Sequence, residues 1–336
     1  MKRILSVLLV LALMLGTAAL AAEADAQESG WHNILLLGGD SRSTVGFDRT
    51  DSMIILSVNR DEGAMKLTSI MRDTWVKIPD VNFSQKINAA NVYGGPELAV
   101  KTVNQYFGTD IEDYVLVNMT GLIKIIDLLG GVDVEVTESE RKYTNSYAQS
   151  YLKQTGGYDG ATSLNSTGLV HLNGLLAMSY ARDRYTDSDY GRVMRQQKVL
   201  LALAEKAQDS DIDELLESVD EISENMQTNM TNEELKEVAM VCMTVDTEDV
   251  GQLRVPADGT FDSGTFDGIW MIRPNFEKNA QLLHEFIYGE EEERISERDC
   301  DGWQKPSVAC CLYKISSHAA GCLKRHVLSG RCLPFV

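Results

Sequence analysis

The sequence predicts an α/β protein, a mixed central sheet sandwiched between helices. Short apolar runs closed by turn residues recur near the start of the chain, the pattern of buried strands. Stretches with apolar residues at helical spacing alternate with them, which favours helices packed on a sheet. The chain has 336 residues, 44% of them hydrophobic, enough for one large domain or two small ones. Six prolines and 26 glycines exclude a disordered or fibrous chain.

The elements follow in order. Asn33–Leu37 is an apolar strand run that ends on Gly38-Gly39. Ser52–Val58 and Met65–Met71 are two more, and the turn residues Asn59–Gly63 between them predict a hairpin. Pro96 suits the first position of a helix that runs to Phe107 and stops at Gly108. Thr120 can cap a helix from Gly121 to Leu129, stopped by Gly130-Gly131. Val132–Val136 alternates like a half-exposed strand. Gly191–Ala207 has the pattern of a long amphipathic helix, 213–243 reads as helical, and Gln252–Val255 as a late strand. No internal repeat is present.

Outside this body the two ends differ in kind. Lys2 and Arg3 precede an uncharged run from Ile4 to Ala22, which suits export as a signal peptide or a retained anchor over 1–22. Positive residues before the run place the rest of the chain outside the cell membrane. A polar linker covers 23–30, and the body covers 31–293. The body holds 22 Lys and Arg against 44 Asp and Glu, and the whole chain has a net charge of −19. Such a charge repels nucleic acid. The tail, 294–336, is basic and carries five of the six cysteines. It reads either as a shifted reading frame or as a small disulfide-bonded appendage. Its spacing contains no CxxC pair, which argues against zinc.

Three clusters in the body can carry chemistry. Asp40 and Arg42 follow the first strand, while Arg49 and Asp51 precede the second. If these strands pair, the two aspartates share one sheet edge. They then suit Mg²⁺, which takes one or two carboxylates and completes its shell with water and phosphate oxygens. Asp and Ser are also ordinary turn residues. Arg72-Asp73 follows the third strand, with Lys86 and Asn88 beyond it. The third cluster, Arg182-Asp183-Arg184, spaces two arginines to point to one side of an extended segment. Asp187, Asp189, Gly191, Arg192, Arg195 and Gln196 come next, and Arg192 and Gln196 share a helix face near its positive end. An arginine fork binds phosphate oxygens bidentately and stays charged. The alternative is a solvated charged surface.

No Gly-x-Ser-x-Gly elbow, Walker loop or triad-like histidine occurs in the body. Cys242 lies in an apolar helical run, a core position rather than a nucleophile's. Catalysis here would rest on positioning and electrostatics.

The chain resembles the LytR-CpsA-Psr family of cell-wall glycopolymer ligases. The resemblance lies in Asn33–Asp51, Thr68–Pro79, Lys86–Glu97, Tyr114–Val134 and His171–Gln197, and covers roughly residues 31–290. It implies an α-β-α fold with an apolar cavity for a polyprenyl chain and a polar mouth for its pyrophosphate. It implies Mg²⁺ (or Mn²⁺) at Asp40 and Asp51. Arg72, Asp73, Arg182 and Arg184 would be catalytic, and Arg42, Arg49, Lys86, Asp189, Arg192 and Gln196 would bind the pyrophosphate. The implied reaction is a phosphotransfer. Undecaprenyl pyrophosphate-linked glycan, of teichoic acid or capsule type, moves to a peptidoglycan hydroxyl at the outer face of the membrane, and polyprenyl phosphate leaves. Asp73 and Asp51 are both open as proton acceptor. The competing readings are a polyprenyl pyrophosphate phosphatase and a non-enzymatic lipid-glycan binding or regulatory protein.

Overall fold

The computed structural model describes residues 30–40, 48–81, 83–208 and 221–289. The segments 1–22 and 23–29, Arg42, and the tail 294–336 lie outside the described residues. Among the described residues no helix is long and apolar enough to cross a membrane.

Strand β1 (Trp31–Gly39) is the hinge of the sheet. It pairs antiparallel with β2 (Thr50–Asn59), which pairs antiparallel with β3 (Ala64–Ile70) through the predicted hairpin. Two short strands, β4 (Trp75–Lys77) and β5 (Ser84–Lys86), form a separate ribbon. Helix α1 (Ala90–Phe107) is broken at Gly94 and Gly95, so its regular part begins at Pro96 as the sequence predicts, and Gly108 closes it in the left-handed conformation. Strand β6 (Asp113–Val117) then lies parallel to β1 on its other side.

Helix α2 (Met119–Leu128) starts two residues earlier than expected. Its cap is Asn118, not Thr120: Asn118 has extended backbone angles and its side chain accepts the Gly121 N–H at 2.8 Å. Strand β7 (Val132–Val136), helix α3 (Glu138–Thr155), strand β8 (Gly168–Leu172) and helix α4 (Gly174–Ala181) form a subassembly in which β7 and β8 pair only with each other. The alternation in β7 is real, with Val132, Val134 and Val136 buried and the acidic residues between them exposed. Helix α5 (Asp189–Gln208) matches the predicted amphipathic helix.

The stretch 213–243 is not one helix. Strand β9 (Gln227–Thr228) pairs with β6, and the Thr228 hydroxyl donates to the Tyr114 carbonyl at 2.6 Å. Helix α6 (Asn232–Thr244) follows behind a Thr231–Glu234 capping box. Strand β10 (Gly251–Val255) completes the sheet beside β3, in parallel. The chain ends its described course in the hairpin β11 (Phe261–Phe266) and β12 (Ile269–Pro274) and helix α7 (Phe276–Tyr288).

The six-stranded order is β10-β3-β2-β1-β6-β9, a mixed sheet. Period-two alternation sorts its side chains to two faces. Leu35, Leu37, Met53 and Ile55 pack with α1 and α7, while Ile34, Ile54, Leu56 and Val58 face α5 and α6. The result is the predicted α-β-α sandwich. On the second face, α2, α4 and α5 stand off the sheet and leave an apolar cavity of about 290 Å³.

Candidate active site

Leu36, Ile54 and Val115 form the sheet wall of the cavity, and Leu122, Met178 and Leu203 the helical wall. One end is polar, where Asp40, Asp51, Arg182 and Gln196 join the lining. The strand register explains why the aspartates meet. A bulge between Gly38 and Gly39 sets Gly39 opposite Thr50, and the Asp40 N–H donates to the Arg49 carbonyl at 3.1 Å. Gly38 is required there: a Cβ on it would stand 2.9 Å from the Ser52 Cβ.

Arg72 is the hub. Its Nη1 lies 2.7 Å from Asp51, its Nη2 3.6 Å from Asp189 and its Nε 3.5 Å from Asp73. Burial lowers the Arg72 pKa, but the Asp51, Asp189 and Asp73 carboxylates reverse that, and the net shift is upward. Asp189, in the first turn of α5, also reaches Arg192 at 3.4 Å. Arg192 is only 5% exposed. Burial and the neighbouring Arg72 charge push its pKa down, and the surrounding carboxylates do not make up the difference. This guanidinium is therefore under-compensated. Lys86 Nζ sits 2.6 Å from Asp73 at the same centre, and Asn88 Nδ2 is 3.4 Å from Asp51.

Arg182 comes in from α4. Its Nη2 is 2.7 Å from Asp40 and its Nη1 3.0 Å from the Met119 sulfur. The sequence placed Arg182 and Arg184 on an extended segment. Instead, Arg182 has helical backbone angles and ends α4, and the chain turns after it. That turn leaves Arg184 exposed, with its charge felt by Tyr147 and Arg72. Arg49 is also exposed at the start of β2. Thus Asp40, Asp51, Arg72, Asp73, Lys86, Arg182, Asp189, Arg192 and Gln196 come together, Arg184 and Arg49 stand at the rim, and Arg42 lies outside the described residues.

The sequence placed Asp183, Asp187, Gly191 and Arg195 in the third cluster but did not show that they support these groups from beneath. Arg195 is 2% exposed, and it donates to the Asp183 carbonyl at 2.6 Å and to Asp187 at 2.9 and 3.2 Å. Its Nη1 also lies 3.4 Å from Glu140 of α3. Asp183 is fully buried and accepts the N–H groups of Tyr185 and Thr186. The turn that presents Arg182 and Arg184 is thus tied down from below. Gly191 belongs to this support: a Cβ there would lie 1.9 Å from the Asp187 carboxylate. The usable signal was Arg195 itself, a charge three residues beyond Arg192 on the buried side of an amphipathic helix.

The centre fits a polyanion. Nε of Arg72 and of Arg192 are buried without a hydrogen-bond partner among the described residues, two donors that an anion can satisfy. Asp40 and Asp51 supply hard oxygen donors suited to Mg²⁺ or Mn²⁺. Among the described residues no group of three or more His, Cys, Asp or Glu could cage a metal, so an ion here would complete its shell with water and ligand oxygens.

The sequence model of the LytR_cpsA_psr family matches residues 17–286. The chain belongs to the LytR-CpsA-Psr family. The polyisoprenyl-teichoic acid–peptidoglycan teichoic acid transferase TagU of Bacillus cereus is 36% identical over 176 residues, 52% of this chain and 52% of TagU. The chain spans about half the length of the curated relatives it matches. Among solved structures, TagV of B. subtilis aligns at a TM-score of 0.61 and 27% identity, covering 77% of this chain and 98% of TagV. TagT bound to LIIa-WTA aligns at 0.61 and 24% identity, covering 77% and 91%, a likeness of fold. The sandwich of this LytR-CpsA-Psr chain is the fold of those proteins.

Proposed function

We propose that this protein is a phosphotransferase that moves a glycopolymer from an undecaprenyl pyrophosphate carrier to peptidoglycan and releases polyprenyl phosphate. One observation carries the reading: an apolar cavity ends at Asp40, Asp51, Arg182 and Gln196, where Asp51 pairs with Arg72 and Asp189 links Arg72 to the buried Arg192. That is the shape of a ligand with a hydrocarbon tail and a diphosphate head. The teichoic acid transferases among its relatives support the same chemistry, and the glycan is of teichoic acid or capsule type. The N-terminal apolar run, preceded by Lys2 and Arg3, supports a reaction at the outer face of the membrane.

In this reading the lipid enters between the sheet and α2, α4 and α5, gaining about 25 cal/mol per Å² of apolar surface removed from water. Arg72 and Arg192 take the inner phosphate oxygens; Arg182, Arg184 and Gln196 take the outer ones, with Arg49 and Lys86 around them. Asp189 holds Arg72 and Arg192 in register. Asp40 and Asp51 would hold Mg²⁺ or Mn²⁺, which when bound supplies positive charge to the phosphate oxygens. A peptidoglycan hydroxyl attacks the glycan-proximal phosphorus. A new P–O bond forms as the bond to the bridging oxygen breaks, and the departing polyprenyl phosphate carries the electron pair away. Fixed guanidiniums stabilise the charge spread over the equatorial oxygens. Asp73, held by Lys86 and Arg72, is the carboxylate assigned to the hydroxyl proton, and Asp51 is the second candidate.

The test is product analysis with polyprenyl pyrophosphate-linked glycan and peptidoglycan. Glycan joined to peptidoglycan by a phosphodiester, with polyprenyl phosphate released, is the expected result. Free glycan phosphate alone would make the protein a phosphatase. Full ligase activity in Arg182→Ala would overturn the role given to Arg182, and no product of either kind from the wild type would overturn the enzymatic reading.

A further inference from the structure

Beside the arginines lies a group of aromatic rings that neither the core nor the phosphate centre uses. Tyr143 and Tyr147 are one turn apart on α3 and therefore share a face. Tyr185, in the turn after Arg184, lies over both, with ring centroids 5.8 and 6.0 Å away and interplanar angles of 31° and 28°. Tyr185 remains 62% exposed. A large ring packed at about 30° against two others at the surface is an ordered face, not a stray side chain. The face is continuous with the reaction centre. The Arg182 guanidinium lies 5.7 Å over the Tyr147 ring, and that of Arg184 lies 5.7 Å over the Tyr185 ring. Both guanidiniums belong to the phosphate-binding set.

We propose that Tyr143, Tyr147 and Tyr185 form a stacking platform for a pyranose ring of the saccharide substrate. The proposal rests on the transferase reading, because it is that reading which joins a sugar to the reacting phosphate. The sugar bonded to that phosphate must lie within one or two bonds of it, and the rings border the arginines that hold it. A pyranose presents a flat face of C–H groups to the negative π face of an aromatic ring, while its rim hydroxyls need polar partners. Tyrosine supplies both. Burial raises the Tyr147 pKa, so its phenol stays a donor at neutral pH. Arg182, Arg184 and Lys142 beside the rings make this face cationic and polar, unlike a surface for lipid chains. The ring could come from the carrier-linked glycan or from the peptidoglycan acceptor, and both meet at the same phosphorus.

The experiment uses the full chain with Tyr185→Leu, Tyr143→Leu and Tyr185→Trp. Binding is measured for polyprenyl pyrophosphate with and without its glycan, and KM is measured for peptidoglycan. If the carrier sugar sits on the platform, the leucine variants bind the glycan-bearing lipid about tenfold more weakly. They bind the sugar-free lipid as the wild type does. If the acceptor sugar sits there, KM for peptidoglycan rises about tenfold and both lipids bind normally. Tyr185→Trp keeps function in either case, and quenching of its fluorescence by a soluble glycan fragment gives a second readout on a folded protein. Unchanged affinities and KM in the leucine variants overturn the platform, and so does equal weakening toward both lipids. Failure of the wild type to bind sugar-free polyprenyl pyrophosphate overturns the transferase reading instead.

Discussion

Arg195 donates through Nη2 to the backbone carbonyl of Asp183 at 2.6 Å, a bond between two buried residues that fixes the turn bearing Arg182 and Arg184. Neither residue lines the cavity, yet both determine where the guanidiniums of Arg182 and Arg184 stand. Removing Arg195 leaves the buried Asp183 carbonyl without its donor and takes the paired cation from Asp187 and Glu140. Arg195→Met is expected to lose about 3 kcal/mol of stability, the lower end for breaking a buried pair. It is also expected to lose kcat more than donor affinity. Urea denaturation measures the first and steady-state kinetics the second. Unchanged kcat in folded Arg195→Met would show that the turn holds its shape unaided.

The same network predicts an acid limb in stability. Burial would raise the Glu140 pKa, but hydrogen bonds from Thr137 and the Lys198 and Arg195 charges bring it below the ordinary value. The Arg195 hydrogen bond holds Asp187 low against a smaller opposing effect of burial. A carboxylate whose folded pKa is depressed stabilises the fold above its unfolded value, near 4, and loses that contribution as pH falls through the folded pKa. The urea midpoint should therefore hold steady from neutrality to about pH 5 and drop below about pH 4. In Arg195→Met the drop should be shallower. Parallel acid limbs in the two proteins would count against the coupling.

The cavity predicts a dependence on chain length. Leu203 of α5 lines it and is only partly buried in the packed core. Leu203→Trp fills space the lipid would use, at an overpacking cost of about 1–3 kcal/mol. KM for a long-chain polyprenyl donor should rise about tenfold, or ~1.4 kcal/mol, while a short-chain donor changes little. A uniform rise across chain lengths would place the hydrocarbon elsewhere.

Cys242 offers a check on the core assignment. Burial pushes its thiol up to about 11, so almost no thiolate forms at pH 8. Peptide mapping after iodoacetamide should find Cys242 unmodified in the native protein and alkylated in urea. Rapid native labelling at Cys242 would mean that α6 opens readily.

Much of the centre was legible because strand ends are easy to place. The apolar run before Asp40 and the run after Asp51 mark where β1 stops and β2 starts, and pairing brings their ends together. Arg192 and Gln196 shared a helix face by their spacing, and the family resemblance added Asp189. The geometry of Arg182 and Arg184 did not, since one helical residue at the end of α4 changes the direction of everything after it. Strand β9 has two residues, too few to show a period. Glu140 lies 55 residues from Arg195, a separation no local pattern spans. Asn118 won the cap over Thr120 because both types cap well and only the backbone decides between them.

Arg72 is shared among Asp51, Asp73 and Asp189. Those carboxylates are resident competitors. Any incoming anion must displace them, and a bare phosphate or a nucleotide has only its charge with which to do so. A lipid-linked diphosphate adds the burial of its tail. The apolar cavity thereby becomes part of the selectivity for an anion, and an acidic protein can keep an arginine centre without collecting the small phosphates around it.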